Sequence, residues 1–255
     1  MDQSMILSQV VGGSLDAIAR EMSATVTRTA RSPPLFNEAH DFTTGIFDLS
    51  GRKSRLVAQA PGCTLHLYAV VGAVDHLIET FRYDLHPGDI LLVNDPYHGG
   101  SHSLDWTMVM PVFYNRKPIL LPAVRSHMGG DNGGPVAGGY NPKSKDIWHD
   151  GLRIPPLKIY EKGEKRQDVF DMIVANNRLS HWLEGDLDAM IGACKLASRR
   201  IQQMLDQYGS EPMIGAIDER IQYTERRVRD EIASWLMVLT PLKRMQIMTF
   251  KGIVI

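Results

Sequence analysis

The chain has 255 residues, 44% of them hydrophobic, with 28 basic against 29 acidic side chains and a net charge of −1. That length supports one substantial core or two small ones, and the near-neutral balance provides no field to draw in nucleic acid or an anionic membrane. Two cysteines, Cys63 and Cys194, are too few for a disulfide framework or a cysteine-based zinc cage, no run approaches the ~18 apolar residues of a membrane span, and Met1-Asp2-Gln3 lacks a signal-peptide pattern, so a cytoplasmic protein is expected.

Met5, Ile6, Val10, Leu15, Ile18, Met22 and Val26 recur at helical spacing and predict an amphipathic helix over residues 3–30. Gly12-Gly13 is a candidate kink in it, and Pro33-Pro34 is its stop. Thr44 to Gln59 reads as a β-hairpin turning at Leu49 to Arg52. Residues 65–81 predict a second helix packed on the sheet. Pro87-Gly88-Asp89 then marks a turn before the strand Ile90–Val93, which delivers a loop beginning at Asn94.

Met108–Phe113 and Pro118–Val124 read as the next two strands, joined by a turn at Asn115-Arg116-Lys117, and the second delivers Arg125-Ser126-His127. The glycine-dense stretch from Gly129 to Asn141 is either a functional loop or a surface loop. It lacks the spacing of a dinucleotide or P-loop fingerprint. Residues 168–208 and 215–235 read as helices whose apolar stripes are core, with His181 on their surface. The expected class is α+β: an N-terminal mixed β-sheet with packed helices carrying the site, followed by a helical segment.

The chemistry concentrates around Asn94 to Asp105. His102-x2-Asp105, followed by His127, offers two imidazoles and one carboxylate, the set that holds a divalent metal with open positions for water or substrate. The two strands that would carry Asp105 and His127 present them at adjacent ends if they pair. With nine histidines in the chain, the same three residues also suit ordinary structural roles. Asp95 is a candidate base or an orienter of the ligands, or equally the residue that holds the Asp95-Pro96-Tyr97 turn. His66 and Arg125 are candidates for lining the substrate pocket.

Asn94-Asp95-Pro96-Tyr97-x-Gly99-Gly100-x-His102-x2-Asp105 resembles the signature of the hydantoinase B and 5-oxoprolinase family, which is related to the large subunits of acetone and acetophenone carboxylases. Arg31-Ser32, Phe47-Asp48-x2-Gly51-Arg52, Leu56 to Pro61, Leu65-His66-Leu67, Gly151 to Lys158 and Gly185-Asp186-Leu187 resemble the family in the same order, over roughly residues 1–235. The resemblance implies that His102, Asp105 and His127 hold a metal, with manganese, zinc and iron not distinguished. It also implies an actin-fold, hydantoinase A-like ATPase partner subunit that binds ATP, and a cyclic amide as substrate. A subunit of an ATP-dependent ketone carboxylase is the alternative, and an inactive binding fragment a third. Members of the hydantoinase type usually read His-His-x-Asp-x-Gly-Gly where this chain has His127-Met128-Gly129-Gly130-Asp131, which puts Asp131 in doubt as a ligand and weakens the hydantoinase assignment.

Residues 236–255 carry Lys243, Arg244 and Lys251 with no acid, and their apolar residues follow no clean period. Family sequences continue, after the tryptophan that Trp235 matches, with Pro-Asp-Gly-x-Tyr. Restoring one base after that codon lets a choice of codons regenerate the pattern. The expected organisation is therefore residues 1–235 as the family's N-terminal region and 236–255 as a frameshifted, non-native tail of a truncated subunit. Independent reads of the locus that keep the frame would sink this.

Overall fold

The computed structural model describes residues 3–32, 38–50, 53–128 and 142–239, with side chains from 5 to 235. A long helix, α1 (Gln3–Thr29), leads to the paired strands β1 (Phe42–Asp48) and β2 (Arg55–Gln59). Two helices, α2 (Thr64–Leu67) and α3 (Ala69–Thr80), precede β3 (Ile90–Val93), β4 (Asp105–Val109), β5 (Val112–Tyr114) and β6 (Lys117–His127). A second hairpin, β7 (Leu157–Glu161) and β8 (Glu164–Lys165), is followed by α4 (Gln167–Ala175), α5 (Ser180–Tyr208) and α6 (Ser210–Leu239).

The strands form one sheet in the order β2-β1-β6-β4-β3-β7-β8, with β5 also on β6. Every pairing among the described residues is antiparallel, which narrows the expected mixed sheet while keeping the α+β class. Both faces are covered, and this is why β3 is an unbroken apolar run instead of an alternating one. Ile90 and Leu92 pack with Phe42, Ile46, Trp106, Met108 and Val124 against buried residues of α1, α5 and the start of α6. Leu91 and Val93 point the other way, and pack with Phe47, Val109, Leu121 and Ala123 against Val70, Ala73, Val74 and Leu77 of α3.

On the α3 face the apolar pattern stops partway along three adjacent strands. Counting by the strand period of two, β6 runs Leu121, Ala123, Arg125, His127; β4 runs backward as Val109, Thr107, Asp105; and β1 as Phe47, Gly45, Thr43. The core therefore gives way to polar side chains at one end of the sheet, and that end is where the candidate residues gather.

Several elements differ from the sequence reading for local reasons. Helix α1 is continuous through Gly12-Gly13; Gly12 instead makes room for Arg220 of α6, whose Nη1 would lie 2.0 Å from a Cβ there. The second helix breaks at Tyr68, which ends α2 and opens α3. The expected strand 108–113 begins three residues earlier, at Asp105, and is interrupted at Met110-Pro111, since proline has no N–H for the ladder. Its partner runs on to His127.

The turn between β5 and β6 holds Asn115 and Arg116 at φ 49 and 67, the left-handed geometry of a tight hairpin. Lys162 and Gly163 do the same between β7 and β8, at φ 52 and 91, in a hairpin that the sequence reading missed. The expected helix over 168–208 is divided between α4 and α5. Residues 129–141 and 240–255 lie outside the described residues, and with them the glycine-loop reading, Asp131 and most of the proposed tail. Among the described residues no helix is long and apolar enough to cross a membrane.

Candidate metal centre at the end of the sheet

Asp105 and His127 are direct partners in the β4–β6 ladder. Antiparallel partners point to the same face, and His127 Nδ1 lies 3.2 Å from Asp105 Oδ1. His102 comes from the preceding loop, where the Asp105 amide donates to its carbonyl at 2.9 Å. Its ring centroid is 5.3 Å from that of His127.

The loop that carries His102 is held by backbone and buried side chains. Asp95 caps the 3-10 turn Pro96–His98, its Oδ1 accepting from the Tyr97 amide at 3.0 Å. Gly99, at φ 83, lies so close to α3 that a Cβ would be 2.3 Å from the Gly72 carbonyl oxygen. Asn94 Nδ2 donates to the carbonyls of Ser103 at 2.6 Å and Leu152 at 2.8 Å, while its Oδ1 accepts from the Ile154 amide at 2.6 Å. One buried amide thus joins the loop to the segment ahead of β7.

Arg125 is fully buried. Its Nη1 donates to Thr107 Oγ1 at 2.9 Å, and its Nη2 to Ser101 Oγ at 2.5 Å and Asp105 Oδ2 at 3.3 Å. His66, from α2, is also buried: Nε2 lies 2.9 Å from Asp41 Oδ1 and Nδ1 3.7 Å from Asp105 Oδ2. Among the described residues that Nδ1 has no hydrogen-bond partner. Asp41 immediately precedes β1, and its carbonyl accepts from the His127 amide at 3.0 Å.

The protonation states suit cation binding, which needs ionised carboxylates and neutral imidazoles. Burial pushes the Asp105 carboxyl up, but the His127 hydrogen bond and the charges of His66 and Arg125 outweigh it and hold it at about 2. Burial lowers the His102 ring below its ordinary value against the pull of Asp105. It lowers Arg125 too, with Asp105 opposing. With the orphaned His66 Nδ1 facing Asp105, the donors present fit a divalent cation.

Of the residues singled out from sequence, the fold brings His66, Arg125 and His127 each within 3.7 Å of Asp105, with His102 beside His127. Asp95 Oδ2 instead pairs with His98 Nδ1 at 2.7 Å and Arg153 Nε at 3.4 Å. Met128 is buried in the core on the opposite face from His127, as strand alternation requires, so the Met128 departure removes no donor from this cluster. Sequence reasoning missed Asp41 and Cys63. An acid just ahead of a strand, in His40-Asp41-Phe42, was the available signal for the first; the second had none.

The hydantoinase B/oxoprolinase family profile matches residues 4–246. The chain belongs to that family. The β subunit of caprolactamase from Pseudomonas jessenii is 36% identical over 220 residues, covering 86% of this chain and 37% of that subunit. The crystal structure of ATP-dependent caprolactamase from the same organism aligns with a TM-score of 0.82, over 88% of this chain and 38% of that one. Nucleotide-free acetone carboxylase, at 18% identity, shares the fold with a TM-score of 0.75 over 83% of this chain and 28% of its own. This hydantoinase B/oxoprolinase member therefore spans well under half the length of these relatives.

Membership also explains motifs remote from the cluster. Arg31-Ser32 and Gly185-Asp186 meet in space: Asp186 Oδ1 accepts from the amides of Arg31 at 2.7 Å and Ser32 at 3.0 Å, and Oδ2 from the Ser32 hydroxyl. Lys158 ties β7 to Asp84 and to the buried Asp89, at 3.0 Å each. These residues hold the scaffold on which the candidate centre sits.

Proposed function

We propose that this chain carries the cation-binding centre of an ATP-coupled hydrolase of cyclic amides, with His102, Asp105 and His127 as the ligands. The observation that carries the reading is the ladder pairing of Asp105 with His127, with His102 packed beside it. A divalent cation there supplies Lewis acidity toward an amide carbonyl. The likeness to a caprolactamase β subunit supports a lactam-type substrate and a second subunit. ATP binding is assigned to that partner, an actin-fold ATPase by resemblance.

The chain's own residues set up the donors. Asp105 stays ionised and presents Oδ1 toward His127, while Arg125 and Ser101 hold Oδ2. His102 presents a neutral ring because burial disfavours its charged form. Arg125 reaches no solvent, so it acts on the reaction through Asp105 and not by touching substrate. Asp95 orients the loop bearing His102 through its cap, His98 and Arg153. His66 lies between Asp41 and Asp105 and closes the buried side of the centre.

The test supplies the full protein with an ATPase partner, ATP and a cyclic amide such as 5-oxoproline or a simple lactam. Ring opening is expected, and its loss in His102→Ala, Asp105→Asn and His127→Ala with the circular dichroism unchanged. Fixation of labelled bicarbonate into a ketone without ring opening would make the protein a carboxylase subunit instead. Failure of the assembled complex to turn over either substrate class would leave a binding role and overturn the reading.

A further inference from the structure

Two short turns place aromatic rings in solvent beside one guanidinium. In Pro96–His98 the Tyr97 amide donates to Asp95 Oδ1, and in the 3-10 turn Ile147–His149 the Trp148 amide donates to Asp146 Oδ1, each at 3.0 Å. An aspartate that accepts from the backbone two residues on fixes where the ring leaves the chain. Tyr97 is 76% exposed and Trp148 64%, yet both rings meet Arg153, whose guanidinium carbon lies over them at 5.9 Å and 4.6 Å from their centroids. Both separations are within cation–π reach.

The guanidinium is anchored on one side and open on the other. Buried Asp95 meets it at Nε, 3.4 Å from Oδ2, and shares that oxygen with His98. Among the described residues the Arg153 side chain donates no hydrogen bond, and Asp95 is the acid it pairs with. Its terminal nitrogens therefore keep the planar fork that matches a carboxylate or phosphate bidentately. Rings beside the guanidinium displace water from it, which strengthens a charge-assisted hydrogen bond made there. The position is tied to the proposed centre: Asn94 Nδ2 donates to the carbonyls of Ser103 and Leu152, the residues next to His102 and Arg153.

We propose that Arg153, with Tyr97 and Trp148, binds an oxyanion carried by the substrate: a carboxylate on its ring, or a phosphoryl group placed on it. The substrate class is then an anionic cyclic amide and not a plain lactam. Holding a group away from the amide that opens orients the ring for reaction. The oxyanion site stands on the surroundings of Arg153 itself. Assigning its anion to the substrate rests on the hydrolase reading above.

Chelator-treated protein is titrated at constant ionic strength with 5-oxoproline, with pyrrolidinone, which is the same ring without the carboxylate, and with inorganic phosphate, while tryptophan fluorescence is followed. Cation, partner and ATP are left out, so the outcome does not depend on turnover. The expected result is a saturable change with 5-oxoproline or phosphate and none with pyrrolidinone, and the tighter anion identifies the source. Trp148→Phe removes the signal. Arg153→Lys keeps the charge but loses the fork, and weakens binding about tenfold, the loss of one charge-assisted hydrogen bond; Arg153→Met abolishes it. A response to pyrrolidinone equal to that to 5-oxoproline, a signal that survives Trp148→Phe, or no saturable response to either anion overturns the proposal; the first and last are read on the unaltered protein, whether or not a variant folds. Anion binding that persists while the assembled complex opens no cyclic amide upholds the site and sinks the hydrolase reading.

Discussion

Asp105 Oδ1 and His127 Nδ1 face each other at 3.2 Å because their residues are partners in the ladder between β4 and β6. The same carboxylate is the one acid facing the buried Arg125 among the described ion pairs. Replacing Asp105 with Asn keeps the shape but leaves a guanidinium without its counter-charge. The expected cost is about 3 kcal/mol of unfolding free energy, read by urea denaturation. Adding Arg125→Met to Asp105→Asn should recover part of it. A loss below about 1 kcal/mol, the range of an exposed pair, would mean that solvent reaches Arg125.

Met128 decides whether the departure from the usual family pattern matters for the centre. Its side chain lies in the core with α5, across the sheet from His127. Met128→His should therefore bury an imidazole among apolar groups, cost about 2 kcal/mol, and add no cation equivalent in a zinc titration. Uptake of an extra equivalent would contradict the face assigned to residue 128.

Lys158 should make stability fall in alkali. Burial lowers its pKa, but hydrogen bonds to Asp84 and Asp89 outweigh that, so the folded value lies above the ordinary 10.5. A cation whose folded value exceeds its unfolded one stabilises fully below about pH 10.5 and loses that contribution as pH rises through the folded value. Thermal midpoints of the unaltered protein should drop through this window, and those of Lys158→Met should start lower and show a shallower alkaline limb. Parallel pH curves for the two proteins would rule the linkage out.

Gly12 and Gly13 sit side by side in α1 yet should respond differently to alanine. Nothing lies within 4 Å of a Cβ on Gly13, so Gly13→Ala should gain about 1 kcal/mol from helix propensity alone. Gly12→Ala must displace Arg220, which pairs with Asp16 at 2.7 Å. There the lost contact should offset the propensity gain. Chemical denaturation of the two variants gives the comparison, and an equal gain in both would show that Arg220 moves aside without cost.

The α+β class, most helices, the strand at Ile90–Val93 and the resemblance to the family were legible from periodicity, turn residues and motif order. The triad candidates were legible too, because His102 and Asp105 are three residues apart and His127 follows an apolar run. Boundaries were less so. Residues 105–107 look like loop in isolation, and become strand because β6 offers them a ladder. The β7–β8 hairpin was missed because Lys162-Gly163 is a weaker turn signal than Asn-Gly or Asp-Gly.

What the amino-acid sequence determined by itself was the inventory: which stretches are apolar with period two or near 3.6, where glycine permits a turn, and which side chains can ligate or titrate. The tertiary structure alone decided which of them face one another. Asp41 and His66 reach His127 and Asp105 only through the β1–β6 and β4–β6 ladders, and Met128 lies in the core across the sheet because the residue before it, His127, faces Asp105. Strand partners are chosen by long-range pairing and by the layers that cover the sheet. In a period of two, each choice of register sends every side chain to one face or the other, so local sequence cannot supply it.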